Sequence, residues 1–491
     1  MGRQSGALVA ATFAGAAWVL AGATALAKAD FPAAISVHVP ADRPNQIVVG
    51  TNFGLVVSED GGATWTWSCE QDLNSYAASY AMAPAPFDRL FAVAARGLAF
   101  SDDAGCTWRA AGGDLAGQFV GAVQFEFALP GRVFVTATSP TDGGALSSIL
   151  RSDDGGATFD SALGTVYAGT TAVTSFVIAP SDPMTMYLST RGPASFQSAI
   201  LKSTDGGASF VPVDLTGAPP PGAASVLAVD PRGKDRIAVR WQTLSETDAG
   251  LATVDDALVV ADTGSGTWTK AVAVPDGALR ALLILADGAW LVSAQQGRDV
   301  PLLFRSDGGG AAFAPVADPP FIVDLAERRG VVYAATGFDY TGATFALLEE
   351  TSTDGGLTWQ PGASFGGVQA ISGCVASVCA DACLSLSTND GLWDAEVCTA
   401  APPDGGGSGS GSGGAAGAGR GGSGGGAAGG AVGSGGGPEI SGDGGVKALR
   451  GPSGCACATS DAGPGALAVI SAAALAALVR RRRASGPRRR R

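Results

Sequence analysis

The sequence predicts an all-β chain folded as a single β-propeller of seven to eight four-stranded blades. A disordered Gly-rich tether and a short hydrophobic C-terminal helix follow the propeller. Three observations predict the ring. An octapeptide first seen as SEDGGATW (58–65) returns as SDDAGCTW (101–108), SDDGGATF (152–159), STDGGASF (203–210) and STDGGLTW (352–359). The stretches between copies share one grammar of short apolar strands and turns. The period is about 43 to 57 residues, the length of a four-stranded blade.

The first unit sets the grammar. ISVHV (35–39) leads through a Pro/Asp turn into QIVVGT (46–51), then GLVVSE (54–59), the Gly-rich turn, and TWTWS (64–68). The second unit repeats it with YAMAP, LFAVAA, GLAFSD and TWRA. Alternation and β-branched content argue strands, and Gly/Pro/Asp clusters argue hairpin turns. The octapeptide then sits between the third and fourth strands. Its Gly residues supply positive φ, its Asp accepts hydrogen bonds from turn amides, and its last residue is an aromatic anchor. The structural set is Ser58, Asp60, Gly62, Thr64 and Trp65, with Asp103, Trp108, Asp154, Phe159, Asp205, Phe210, Asp354 and Trp359 in later copies. ADTGSGTW (261–268) reads as a copy with an insertion, and SDGGGAAF (306–313) as one that has lost register at the Asp. After the seventh copy a partial unit, VQAISGCV, CLSLSTND and GLWDAEVC, favours eight blades with the last one trimmed.

The octapeptide resembles the Asp-box (BNR) motif, Ser-x-Asp-x-Gly-x-Thr-Trp, of sialidases, xyloglucanases, sortilin-type receptors and photosystem II assembly factors. The resemblance implies turns at the blade periphery, away from any site of action.

Four zones succeed one another along the chain: 1–29, a secretory leader; 30–400, the propeller; 401–450, the Gly/Ser-rich linker; and 451–491, a terminal cassette. Arg3 precedes an apolar run (7–27) with small-residue cleavage options after Ala27 or Ala29, the layout of an export signal. The linker holds almost no large apolar side chain and cannot build a core. The cassette has Cys455 and Cys457, an apolar run (465–479) and two Arg blocks. It resembles the myxobacterial C-terminal sorting tails (MYXO-CTERM), which implies processing near Cys455 or Cys457. Display at the cell envelope or outer surface, or release from it, would result. The tail would associate with the membrane before or instead of processing.

Cys69, Cys106, Cys374, Cys379, Cys383 and Cys398 are irregularly spaced, which favours disulfides over a metal site in an exported chain; their pairing stays open. No metal and no cofactor is predicted. Residues 29–400 hold 18 Lys and Arg against 40 Asp and Glu, so the body repels nucleic-acid phosphates.

His38 is the sole histidine, on a first-strand position, and gives a nucleophile no supporting context. The Arg-Ile-Pro element of sialidases is absent. The expected face of action is the one opposite the octapeptides, where 139–148, 242–257 and 337–345 read as long loops. They carry Asp142, Glu246, Asp248, Asp255, Asp256, Asp339 and Tyr340, with Trp241 entering the longest. The reading is a non-enzymatic binding or scaffold module for a glycan or protein at the cell surface. A glycoside hydrolase using loop carboxylates is the alternative, and an assembly factor for a membrane complex is the third.

Overall fold

Ile47–Thr51 and Gly54–Ser58 are buried at every residue. A strand apolar on both faces needs a packing partner on each side, and a ring of blades supplies two. In the computed structural model the described residues are 33–402, except 71–76, 85, 88, 95–96, 142–143, 168–171, 192–197, 221, 248–249, 298–299 and 337–348, together with 446–447. All of them belong to the unit Pro32–Arg491. They form seven antiparallel sheets, each with four strands in chain order. The innermost strands are Ala34–His38, Ala77–Met82, Phe119–Phe125, Ala172–Ile178, Ala223–Val229, Gly277–Ile284 and Ile322–Arg328. Blade seven's innermost strand lies against blade one's, so the ring closes. Val446–Lys447 pair with Leu283 and Ile284 of blade six.

The core is divided into seven sectors, one between each pair of blades. Side chains alternate between them. Val49 and Val56 pack toward blade seven, whereas Val48, Leu55 and Val57 pack toward blade two. The inner edges need hydrogen-bond partners too, because a buried N–H without one is costly. Neighbouring blades supply them. Val37 N donates to Asp324 Oδ2 (3.0 Å), Val226 N to Ser189 Oγ (3.0 Å) and Leu279 N to Asp256 Oδ2 (3.0 Å). All seven innermost strands also slip register once.

The expected eighth blade is not formed. Residues after blade seven make a strap that lies over blade one. Ala370–Ile371 pair in parallel with Thr66 and Trp67 as a fifth strand, with Gln369 N to Trp65 O at 3.0 Å and Ser372 N to Trp67 O at 2.8 Å. The chain between blades two and three does the same, with Gly112–Gly113 running parallel to Thr158–Phe159. The ring is thus closed by the ordinary linker geometry, carried across the seam.

Helix α1 (Ala376–Ser385), a single wide turn (Leu386–Asp390) and a 3-10 turn (Ala395–Cys398) replace the expected strands. Cys379 and Cys383 are spaced to share one helix face. The Asn-Asp-Gly string where the expected stretches CLSLSTND and GLWDAEVC meet instead ends the helical run, with Gly391 at φ 64°.

All six predicted cysteines pair: Cys69 with Cys379, Cys106 with Cys374, and Cys383 with Cys398. The first two tie the strap to blades one and two. Phe365, Leu392, Trp393 and Val397 complete the sector around Trp67, with the Trp67 and Trp393 rings 5.2 Å apart.

Cys69 and Cys379 are 310 residues apart, so their bond closes a very long loop of the unfolded chain. Replacing both with Ser is expected to cost about 2–5 kcal/mol, read as a lower urea midpoint under non-reducing conditions; an unchanged midpoint would count against a structural role.

Candidate binding face

The octapeptides are closed turns. In the first, Ser58 Oγ donates to Asp60 Oδ1 (2.8 Å) and accepts from Gly62 N (2.8 Å). Asp60 in turn accepts Thr64 N on Oδ1 (2.9 Å) and Thr64 Oγ1 on Oδ2 (2.6 Å). The same four bonds recur at Asp103, Asp154, Asp205 and Asp354, with Ser209 in the place of Thr at Asp205. Trp65 and Phe159 are buried, while Trp108, Phe210 and Trp359 are half-buried. Trp65 also donates through Nε1 to Gly62 O (3.0 Å).

The second glycine has a further duty. At Gly156 φ is +83°, and a Cβ there would stand 2.5 Å from the Phe91 ring of the preceding blade.

Two copies differ from expectation. Residues 261–268 hold no insertion; Asp262 pairs with Thr267 across the hairpin and accepts Gly264 N and Ser265 N, both at 2.9 Å. At 306–313 the carboxylate and one of its donors, the Thr hydroxyl, are both gone, Gly308 and Ala312 standing in their places. Ser306 Oγ still accepts Gly310 N (3.0 Å), and Asp307 turns to Arg305 (2.8 Å).

The octapeptides share a face with the first-to-second-strand turns, and this face is stitched between blades. Within blade one Gly61 N donates to Asn45 O (2.7 Å); between blades, Arg89 of blade two donates to Gly155 O of blade three (2.7 Å). Arg305 of blade six donates to Gly355 O of blade seven. Arg328 of blade seven reaches Gln46 O of blade one (2.6 Å), and Lys234 reaches Asp182 (2.7 Å).

The opposite face carries the second-to-third-strand connections. Two segments that read as loops are extended hairpins. Blade three runs Val133–Thr141 into Gly144–Ser152, and blade five runs Arg236–Thr247 into Gly250–Asp262. Their strands reach 9 and 13 residues, against 5 in blade one.

The predicted face residues separate into three groups. Trp241 is buried, not at a loop mouth. Alternation with Ile237 and Val239 turns it into the sector between blades four and five, where Nε1 donates to Pro220 O (3.0 Å) and the ring meets Trp268 edge-on at 6.4 Å. Asp256 is wholly buried and pairs with Arg240 Nε (2.7 Å). Burial pushes its carboxyl up against the pull of Arg240 and two backbone amides, and its bond to Leu279 N makes it a tie between blades five and six. Asp255 is half-buried on the hairpin, and Glu246 pairs with Leu251 in its ladder. Asp142, Asp248, Asp339 and Tyr340 lie outside the described residues, as do Cys455, Cys457 and the expected leader.

Sequence reasoning misses two side chains on this side of the ring. Arg191 ends blade four's second strand, half-buried, with no carboxylate partner among the described residues. Arg280, on blade six's innermost strand, donates to Gln295 Oε1 (2.6 Å). Nothing in their spacing singles them out. Buried His38 has Nε2 at 3.2 Å from buried Ser36 Oγ. Among the described residues no group of three His, Cys, Asp or Glu side chains could hold a metal ion, and no helix is long and apolar enough to cross a membrane.

The fold defines the class: a seven-bladed β-propeller with a disulfide-bonded C-terminal strap. No known protein family matches the sequence, and no curated protein is similar to it. Among solved structures, an ancestral GH74 enzyme is similar at 14% identity over 68% of this chain and 48% of its own, with a TM-score of 0.41. The GH74 xyloglucanase from Xanthomonas campestris is similar at 16% identity over 67% and 51%, with a TM-score of 0.37. YCF48 from Cyanidioschyzon merolae is similar at 13% over 63% and 93%, with a TM-score of 0.38. The chain spans about half the length of those two GH74 structures. None of these likenesses transfers a residue role.

Two outcomes are expected from the turn geometry. Ala104 occupies the left-handed position (φ 57°) that Gly61 and Gly155 hold in other blades. Such a conformation costs an L-residue about 1–2 kcal/mol, and Gly gives back about 0.5–1 kcal/mol in unfolded-chain entropy. Ala104→Gly is therefore expected to raise stability by about 0.5–1 kcal/mol in chemical denaturation, and a loss would contradict the turn strain. The second outcome concerns acid. Hydrogen bonds from the Ser209 hydroxyl, Ser209 N and the Ser203 hydroxyl hold Asp205 down at about 2, against an ordinary 3.8. The unfolded carboxyl takes its proton first as pH falls, so this stabilisation is complete above about pH 4 and is lost on the way to about pH 2. Carboxyl-detected NMR should place the Asp205 midpoint near the lower figure, and a midpoint near 4 would mean the turn is open in solution.

Proposed function

We propose that this chain is an exported, envelope-displayed propeller that serves as a binding or scaffold module, engaging a glycan or a protein through its hairpin face. The observation that carries this reading is the division of the two faces. One face is taken up by turns and ion pairs that hold blades to one another; the other sends out the long hairpins of blades three and five. Loops and arms on a rigid frame are where recognition concentrates. The three disulfides suit an oxidising, extracellular or periplasmic setting.

The octapeptides are read as Asp boxes, 1–29 as the leader, 401–450 as the tether and 451–491 as a sorting tail processed near Cys455 or Cys457. Asp255 and Glu246 belong to the contact surface with Asp248, Asp339 and Tyr340. Trp241 and Asp256 support it from within.

The test compares the full chain with a variant whose blade-five hairpin tip, residues 244–253, is replaced by Asn-Gly. Both are applied to a glycan array and to envelope proteins, with reducing sugar assayed alongside. Retention by the full chain that falls at least tenfold in the variant is the expected result. Equal retention would move the site elsewhere, and sugar release would make the protein a hydrolase.

A further inference from the structure

Helix α1 is a poor helix by every local measure. It has 10 residues, its N-cap Val375 offers no side-chain cap, and neither end carries a charge that favours the helix dipole. Isolated helices of this length are marginal in water, so α1 depends on what holds it to the ring. Its buried residues are Cys379 and Cys383, both half-cystines. Val378 and Leu384, its larger apolar side chains, face solvent at 53% and 41% exposure. The helix is therefore anchored through sulfur.

The three bonds differ in access. Cys69 and Cys379 are both buried, at 3% and 0% exposure, beneath the strap. Cys383 is buried and Cys398 half-buried. In the third bond Cys374 is exposed and Cys106 half-buried. Thiol–disulfide exchange requires a thiolate to reach a sulfur in line with the bond, and Cys374 Sγ is the sulfur best placed to be reached. Among the described residues its bond is also the only covalent link between the strap and blade two; the pairing of Ala370–Ile371 and the Cys69–Cys379 bond both end on blade one.

We infer that Cys106–Cys374 is a reducible latch on the strap that closes the ring. A dithiol reductant attacks Cys374 Sγ and the Cys106–Cys374 bond breaks. Cys106 leaves as a thiolate and takes a proton. The reductant's second thiol then displaces Cys374 from the mixed disulfide. The protein gains two electrons and two protons as two thiols, and the reductant leaves as a disulfide. With the latch open, the backbone around Gly373 and Cys374 is no longer fixed to blade two, the strap loosens from its 370–375 end, and Cys69–Cys379 becomes reachable in a second, slower step. Blades three to six, which lie away from the strap and its disulfides, keep their packing. The ring is complete in an oxidising compartment and unlatched in a reducing one.

The test uses the oxidised full chain with limiting dithiothreitol, quenched by alkylation and read by peptide mass spectrometry, with hydrogen exchange on the same samples. Cys106 and Cys374 are expected to be alkylated at least tenfold faster than the other four cysteines of the strap and ring. Amides of residues 370–398 should then exchange at least tenfold faster while blades three to six are unchanged. The C106S/C374S variant should show that exchange pattern without reductant, and C383S/C398S should leave Cys69–Cys379 as slow to reduce as in the parent chain. Simultaneous alkylation of all six cysteines would overturn the inference. So would strap protection that survives loss of the Cys106–Cys374 bond.

Discussion

A blade buried on both faces cannot stand at the end of a row. Each of the seven sheets here presents apolar side chains to two neighbours, so the seam between blades seven and one must match the six joints formed within the chain. That seam is the least local contact in the molecule, and the fold meets its demand in layers. The innermost strands are tied by the Val37 amide to the Asp324 carboxylate, and Arg328 reaches across to the carbonyls of Arg43 and Gln46. The linker leaving blade seven then runs beside Thr66 and Trp67 as the linker leaving blade two runs beside Thr158 and Phe159. Disulfides and the packing of Leu392, Trp393 and Val397 around Trp67 hold the remainder of the strap. Among the described residues, closure uses no exchange of strands between the first and last blades.

The turns between third and fourth strands serve the same end. Each carboxylate is consumed by its own loop, each aromatic by the sector between its own blade and the preceding one, and the second glycine leaves room for a side chain of the core. Where the carboxylate is missing, at Gly308, the hydroxyl that would have met it is missing too, at Ala312. Ser306 Oγ loses that acceptor as well and keeps only its bond from Gly310 N. Such mutual dependence explains why the octapeptide is so regular and why its acidic residues are poor candidates for chemistry.

The period, the strand grammar and the octapeptide geometry are all legible in the sequence because they are local: a turn residue and its partner lie four positions apart. The oxidised state of the six cysteines is legible as well, from spacing and compartment. What escapes is whatever depends on register or on distant partners. Trp241 lies at the entrance of a long segment, and only the alternation with Ile237 and Val239 shows that it points inward. Asp256 reads as one of an exposed acidic pair until the hairpin register sets it diagonally across from Arg240. The strap misleads because Asn389, Asp390 and Gly391 stop a helix with the same residues that would turn a hairpin, and because the cysteines that decide the matter find their partners hundreds of residues away.

The division of the core into seven separate sectors has a consequence for how such a molecule changes over generations. A substitution inside one sector is felt by two blades and hidden from the other five, so damage is quarantined and repair can come from the sector itself. The wedge between blades three and four, lined by Phe134, Ile149, Phe176 and Met186, can be re-tiled without disturbing the wedge between blades six and seven. A fold partitioned in this way can drift wedge by wedge, each at its own pace, while the circle stays unbroken.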